Sequence, residues 1–332
     1  MTDLERRLRA AMESAVASQQ PPRNLIQQVR RRHRRYTARV DMTGAAAVAV
    51  VAVLVPVSIS AYGHGSAVPA GPDRAGTRPT VYVAYPNRHT GKLGAIIPIS
   101  IATNKPGKPI RIPVDGGIAS TLNGRTLYVA TGTAVIPVKT ATNKPGKPIH
   151  LGTSRAYSID MNPNGKTAYV TGIFPDVITP INTATNKPRK PIHVTIGVFP
   201  AVLAFTPDGK TLYVGSQFAV TPISTATGKV GKPIHIASGV LETAITPDGK
   251  TLYVASDDEG GSTVTPVNIA TNTAGKPIHV GASIEIALTP DGKTLYAAGL
   301  NKVVPISTAT NTPGKPIRPV NPGYPSQVVI AP

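Results

Sequence analysis

From about residue 80 onward, apolar and polar positions alternate in short runs broken by Gly, Pro, Asn and Asp. This is the pattern of half-buried strands joined by turns. The pattern recurs. PNGKTAYV begins at Pro163, PDGKTLYV at Pro207 and Pro247, and PDGKTLYA at Pro290. A second motif alternates with it: IATNKPGKPI from Ile101, TATNKPGKPI from Thr140, TATNKPRKPI from Thr183, TATGKVGKPI from Thr225, IATNTAGKPI from Ile269 and TATNTPGKPI from Thr308. Tyr82, Tyr128, Tyr169, Tyr213, Tyr253 and Tyr296 mark the units, at spacings of 46, 41, 44, 40 and 43 residues. A period of this length signals an array of small all-β units, each too small to bury its own faces. The fourth unit predicts four strands, at 201–205, 211–215, 218–224 and 233–237. The Asp-Gly pair between its first two strands predicts a tight hairpin.

The two chain ends carry half-units. GYPSQVVIAP from Gly323 reads as a first strand with no second after it, and RPTVYVAYP from Arg78 as a second strand with no first before it. Joined, they complete one unit. The expectation is an all-β, six-bladed β-propeller of four-stranded blades over residues 80–332, with a shared closing blade. A solenoid with free caps is the alternative, and the missing halves argue against it.

The repeats resemble those of the YVTN-type, surface-layer-like β-propeller proteins of bacterial envelopes. The resemblance rests on PDGKTLYV, on the VTPIST strand from Val220 and on the TATN turn, and covers residues 78–332. The final Asn of the name-giving tetrapeptide is replaced throughout: the copies read YVAY, YVAT, YVTG, YVGS, YVAS and YAAG. Members of that family often close with seven blades, one more than is counted here. The resemblance implies a binding or scaffold module; fold likeness is weak support for function.

Residues 43–62, TGAAAVAVVAVLVPVSISAY, carry no charge. Twenty helical residues span roughly 30 Å, the hydrocarbon thickness of a bilayer. Arg30, Arg31, Arg32, Arg34, Arg35 and Arg39 precede them, so the N-terminus is expected in the cytoplasm and the repeats outside. The expected order is a basic cytoplasmic segment over 1–42, a transmembrane helix over 43–62, a linker over 63–79 and the propeller. Leu4, Leu8, Met12 and Ala15 fall on one face of a short helix in the first segment. The expected location is the cell membrane, with a single pass. A cleaved signal peptide is the competing reading, but its charged region would be far longer than usual.

The chain has no Cys, which excludes disulfides, thiolate metal sites and Cys nucleophiles. It has no Trp and only 5% aromatics, so the core must come from Val, Ile, Leu, Ala and the repeated Tyr. Its formal net charge of +19 favours anionic partners. Strand alternation sorts that charge. The TATN-type turns hold Lys105, Lys108, Lys144, Lys147, Lys187, Arg189, Lys190, Lys229, Lys232, Lys276 and Lys315. The turns between first and second strands add Arg125, Lys166, Lys210, Lys250 and Lys293, and all should emerge on one face. Two readings stand: a surface for an anionic envelope polymer, or lysines that keep turns soluble. No aromatics interleave with them, so nucleic-acid binding by base stacking is not favoured.

The opposite face should hold the loops that break the repeat. Candidates there are Arg155 and Tyr157, and an acidic loop of Asp257, Asp258 and Glu259, whose spacing matches no calcium loop. His150, His193, His235 and His279 fall on outer strands of different units and cannot share an ion. No nucleophile elbow, zinc motif or phosphate loop is present. No catalytic residue, metal or cofactor is expected, and the chain is read as a non-enzyme with membrane and anionic-polymer or protein partners. A propeller hydrolase of the lactonase kind, an oxidoreductase, or a sensor relaying to a cytoplasmic partner are the alternatives.

Overall fold

The computed structural model describes residues 53–54, 57–58, 80–85, 94–100, 105–152, 155–173, 176–194, 202–236, 239–258, 261–281, 283–299 and 302–318. All lie within one compact unit, Val48–Pro332. The expected cytoplasmic segment and the linker over 63–79 lie outside the described residues. So does the expected transmembrane helix, apart from two paired two-residue strands, Val53–Leu54 and Val57–Ser58. Among the described residues no helix is long and apolar enough to cross a membrane.

The repeats form six antiparallel sheets among the described residues. Sheet 1 has Thr80–Tyr85 and Ala95–Ser100 with the short outer pieces Lys105–Pro106 and Ile110–Arg111. Sheet 2 runs Ile118–Ser120, Thr126–Ala130 and Ala134–Lys139, then Lys144–Pro145 and Ile149–His150. Sheet 3 runs Arg155–Met161, Thr167–Ile173 and Val177–Asn182, then Lys187–Pro188 and Ile192–His193. Sheet 4 runs Val202–Phe205, Thr211–Gly215, Ala219–Ser224 and Ile234–His235. Sheet 5 runs Gly239–Ile245, Thr251–Asp258 and Gly261–Asn268, then Thr273–Ala274 and Ile278–Gly281. Sheet 6 runs Ser283–Leu288, Thr294–Gly299, Val303–Ser307 and Thr312–Pro313. The four strands expected of the fourth unit are present within a residue or two.

The outer strand differs from expectation: in most sheets it is split. Proline explains the split. The third strand of each sheet carries Pro98, Pro137, Pro180, Pro222, Pro266 or Pro305, which can accept but not donate a ladder bond. Pro137 accepts from Gly146 N–H at 2.7 Å, and the ladder cannot continue until Ile149. The approach is close. A Cβ on Gly146 would lie 3.1 Å from the Pro137 carbonyl oxygen, and one on Gly231 would lie 2.9 Å from Pro222 Cγ. The Gly of KPGKP therefore follows from the Pro of the strand beside it, although Arg189 fills the place in sheet 3.

The first turn also differs. Asp208 does not adopt the left-handed backbone that a two-residue Asn-Gly-type hairpin needs; Gly209 alone does, at φ +66°. Gly209 N–H bonds the Thr206 carbonyl at 2.7 Å, so Pro207 and Asp208 occupy the corners of a type I turn. Thr206 Oγ1 donates to Asp208 Oδ1 at 2.7 Å, and the same oxygen accepts Lys210 N–H at 3.0 Å. The carboxylate is thereby held below its usual range, first by the Thr206 hydroxyl and then by the Lys210 amide.

Neighbouring sheets pack face to face. Ala119, Tyr128 and Val135 of sheet 2 meet Ile159, Val170 and Ile181 of sheet 3. Val202, Tyr213 and Val220 of sheet 4 meet Ile245, Leu252 and Val254 of sheet 5. Each fully buried aliphatic side chain contributes about 1.5–3 kcal/mol. First strands of successive sheets, from sheet 2 to sheet 6, lie side by side.

The repeated Tyr fastens each sheet to the next. Tyr82 donates to Asn143 Oδ1 (3.0 Å), Tyr128 to Asn186 Oδ1 (2.6 Å), Tyr213 to Asn272 Oδ1 (2.7 Å) and Tyr253 to Asn311 Oδ1 (2.7 Å). Those four Asn are the described non-glycine residues with positive φ, from 54° to 56°. The last Asn of TATN thus performs two tasks: it takes the left-handed corner that few side chains tolerate, and it accepts the neighbour's hydroxyl. Where TATG replaces TATN, Gly228 takes the corner and Tyr169 keeps the bond to the Thr225 carbonyl, at 3.3 Å, that Tyr82, Tyr128 and Tyr253 make to the matching Thr beside their bond to Asn. Burial holds these phenols above their ordinary range, Tyr213 and Tyr253 at about 12.

Candidate functional site: a cationic turn face

The two kinds of turn are stitched together at one end of each sheet. Thr140 Oγ1 donates to the Gly124 carbonyl at 2.6 Å, Thr225 Oγ1 to Gly209 at 2.7 Å and Thr308 Oγ1 to Gly292 at 2.6 Å. The first Thr of TATN therefore anchors the outer turn onto the first turn, and the cations of both project from one end.

Every lysine named above for that face is exposed: Lys105, Lys108, Lys144, Lys147, Lys187, Lys190, Lys229, Lys232, Lys276 and Lys315 on the outer turns, with Arg189 among them. None of these eleven makes an ion pair with another of the described residues. On the first turns, Lys210, Lys250 and Lys293 each pair weakly with the Asp of their own turn, at 3.6, 3.7 and 3.8 Å. The face therefore sets sixteen cations against three carboxylates, and each carboxylate is already committed to its turn. Crowded, unpaired ammonium groups raise the local concentration of anions.

The charge is uneven around the array. The turns of sheets 2 and 3 hold Arg125, Lys144, Lys147, Lys166, Lys187, Arg189 and Lys190, and no acid, because Asn123 and Asn164 stand where later units have Asp; the nearest carboxyl, Asp160, is buried on the first strand of sheet 3. The turn end of sheets 5 and 6 holds Lys250, Lys276, Lys293 and Lys315 against Asp248 and Asp291.

The opposite, loop end is irregular. Arg155 does face the loop end, where its guanidinium Nε pairs with Asp115 at 3.2 Å, joining sheet 3 to the segment before sheet 2. Tyr157 is half-buried, and its backbone carbonyl accepts Gly117 N–H at 2.8 Å. The expected acidic loop is not a loop over Asp257 and Asp258. Both continue the second strand of sheet 5, paired with Ser262 and Gly261, because alternation runs on through Ser256 to make an eight-residue strand. Asp257 Oδ1 accepts from Ser262 Oγ at 3.0 Å. Glu259 lies outside the described residues. His150, His193, His235 and His279 are exposed on separate outer strands, and no cluster of His, Cys, Asp and Glu able to hold a metal occurs among the described residues.

The structure also joins two groups that the sequence reading passed over. Glu242 and Glu285 occupy the same repeat position, four residues before the turn Thr, on the first strands of sheets 5 and 6. Each follows a register shift that breaks the ladder. Glu242 Oε2 accepts Ile286 N–H at 3.0 Å, and its carboxyl group hydrogen-bonds Glu285. Burial pushes the Glu242 carboxyl up to about 7, against the smaller opposing pull of those two bonds. Two acids breaking an otherwise small or apolar repeat position were the available signal, since that place holds Gly117, Ser158 and Val202 elsewhere.

No protein-family model matches the chain, and no curated protein does. Solved structures do. Kuenenia stuttgartiensis hydrazine synthase aligns with a TM-score of 0.62 and 21% identity, over 75% of this chain and 85% of that one. The Cps50 (Swd1) β-propeller domain of Myceliophteria thermophila aligns with a TM-score of 0.56 and 14% identity, over 74% and 84%. At such identities the likeness speaks to fold alone, and it makes the stacked sheets a β-propeller.

Proposed function

We propose that the chain is a membrane-anchored, extracytoplasmic β-propeller that binds an anionic envelope polymer through its turn face. The observation that carries this is the excess of sixteen cations over three internally committed carboxylates at one end of the sheets. The uncharged stretch over 43–62 and the arginines before it support the anchor. The repeat motifs support membership of the YVTN type. Six blades follow if the array closes. Tyr296 is half-buried where its five counterparts are buried, and the Asn due to receive it is Asn104, outside the described residues. Asn104→Ala should then lower the melting temperature as much as Asn186→Ala does.

The test is titration of the full chain in detergent with long-chain inorganic polyphosphate at two salt concentrations. The reading predicts binding that weakens steeply with salt, as counterion release demands. Binding indifferent to salt, or none, would overturn it. A second reading, a propeller hydrolase, is favoured only by the Glu242–Glu285 pair, in which burial raises the Glu242 carboxyl to about 7 beside a second carboxyl group. It requires a hydrolytic activity that Glu242→Gln abolishes without unfolding the protein.

A further inference from the structure

The lysines of the outer turns recur so regularly that they invite a uniform reading, in which any blade serves an anion as well as any other. The structure divides them. We infer that the partner lies across the turn ends of sheets 2 and 3, and that it is a linear phosphate polymer held by its backbone charge. The inference rests on the proposed anion-binding reading and assigns it a place and a chemistry.

Three observations carry the place. First, the seven cations of sheets 2 and 3 meet no acid in their own turns, whereas half of the four on sheets 5 and 6 are paired with an aspartate of the same turn. Second, these two sheets are directly joined at that end, as sheets 4 and 5 and sheets 5 and 6 also are, so that the unopposed cations share one support: Tyr128 of sheet 2 donates to Asn186 in the outer turn of sheet 3 at 2.6 Å, and to the Thr183 carbonyl at 3.3 Å. Lys187–Pro188 of sheet 3 also lies against Ile149–His150 of sheet 2. The cations therefore stand on a rigid, shared platform and not on independent loops. Third, sheet 3 alone adds a cation at the Pro-facing place of its outer turn, where Arg189 replaces the Gly of the other copies. Its amide makes the same bond to Pro180, at 2.8 Å, so the turn is unchanged and its exposed guanidinium is an addition.

The chemistry follows from what is absent at that end. The two turns of sheets 2 and 3 carry no aromatic ring to stack on a base or a sugar face. Their polar residues beside the cations are Thr and Asn already engaged in turn bonds, such as Asn182 Oδ1 with the Thr185 amide at 3.0 Å. Lysine recognises an anion as a point charge without directional matching. A repeating phosphate backbone, with one charge per unit and no required face, meets a row of such points.

The experiment compares two variants of the full chain against long-chain polyphosphate, with single-stranded DNA and a carboxylate polymer as further arms. One carries Lys144→Glu, Lys147→Glu, Lys187→Glu and Lys190→Glu. The other carries Lys229→Glu, Lys232→Glu, Lys276→Glu and Lys315→Glu, equal in number, exposure and charge change. The first should lose about thirtyfold or more in affinity at low salt, from lost phosphate contacts, and the second about threefold or less. Equal losses would overturn the assigned place while leaving the anion-binding reading intact. No loss in either would overturn both. Tighter binding of the carboxylate polymer than of polyphosphate would overturn the chemistry, as would a DNA preference that depended on base sequence. Melting temperatures unchanged from the parent exclude misfolding as the cause in either variant.

Discussion

The two ends of each sheet are built on different principles. At the turn end the described units repeat the same devices: Thr bonded to the Gly carbonyl in sheets 2, 3, 4 and 6, and in sheets 2 to 6 Asn or Gly in the left-handed corner with Tyr reaching in from the preceding sheet. Away from the turns the units diverge, although sheets 5 and 6 share a Glu after a register shift. There the structure holds an Asp115–Arg155 pair, a carboxyl pair at Glu242 and Glu285, and an extended hairpin ending in Asp257 and Asp258. Repetition at one end means that the charge there is a property of the array, altered unit by unit through Asn for Asp or Arg for Gly. Irregularity at the other means that any chemistry there belongs to single sites.

The largest effect expected from this contrast lies away from the turns. Glu242 is neutral in the fold up to about pH 7, whereas an ordinary glutamate ionises near 4.5. Between those values the unfolded chain gives up the proton first. The contribution is therefore fully present below pH 4.5, falls as pH rises through 7 and is flat above. Its span is at most about 3 kcal/mol. Denaturant unfolding of Glu242→Gln across that window should lose this slope, and an unchanged slope would show that the fold does not hold the Glu242 carboxyl protonated.

At the turn end, Tyr213→Phe should cost about 1–1.5 kcal/mol by removing the bond from the buried ring's hydroxyl to Asn272 Oδ1. Tyr169→Phe should cost less, because its partner is a carbonyl at 3.3 Å and no Asn is waiting. Equal melting shifts in the two would mean that the Asn latch contributes nothing beyond ring burial. Between the two ends, Thr221 hides a hydroxyl that has no hydrogen-bond partner. Thr221→Val keeps the shape and removes the desolvation cost, so it should raise stability by about 1 kcal/mol. Smallest of all, Arg155→Ala should change stability by less than about 1 kcal/mol, since its ion pair with Asp115 is solvent-exposed.

These differences explain what could be read in advance. The turn end was legible because local chemistry specifies it: Pro, Asn, Gly and Asp at set places dictate backbone angles, and the strands between them alternate. The second strand Thr211–Gly215 emerged with the bounds its pattern gave. Two local details were misjudged for identifiable reasons. Pro207 selects a type I corner where Asp-Gly alone suggested a tighter turn, and Pro137 splits an outer strand that its own apolar pattern would have made continuous. The loop end was largely illegible. Asp115 and Arg155 lie forty residues apart and meet only because successive sheets stack. Glu242 and Glu285 looked like isolated polar residues until the repeat frame placed them at one level on adjacent strands.

An anionic partner seated on the turn face leaves the loop face open. Amide hydrogen exchange on the full chain, with and without polyphosphate, tests it most directly. Slowed exchange confined to the turns at 139–147 and 183–190, with the segments around Asp115, Glu242 and Ser262 unchanged, is the result predicted. Slowed exchange at those loop-end segments, with the lysine turns unchanged, would contradict it.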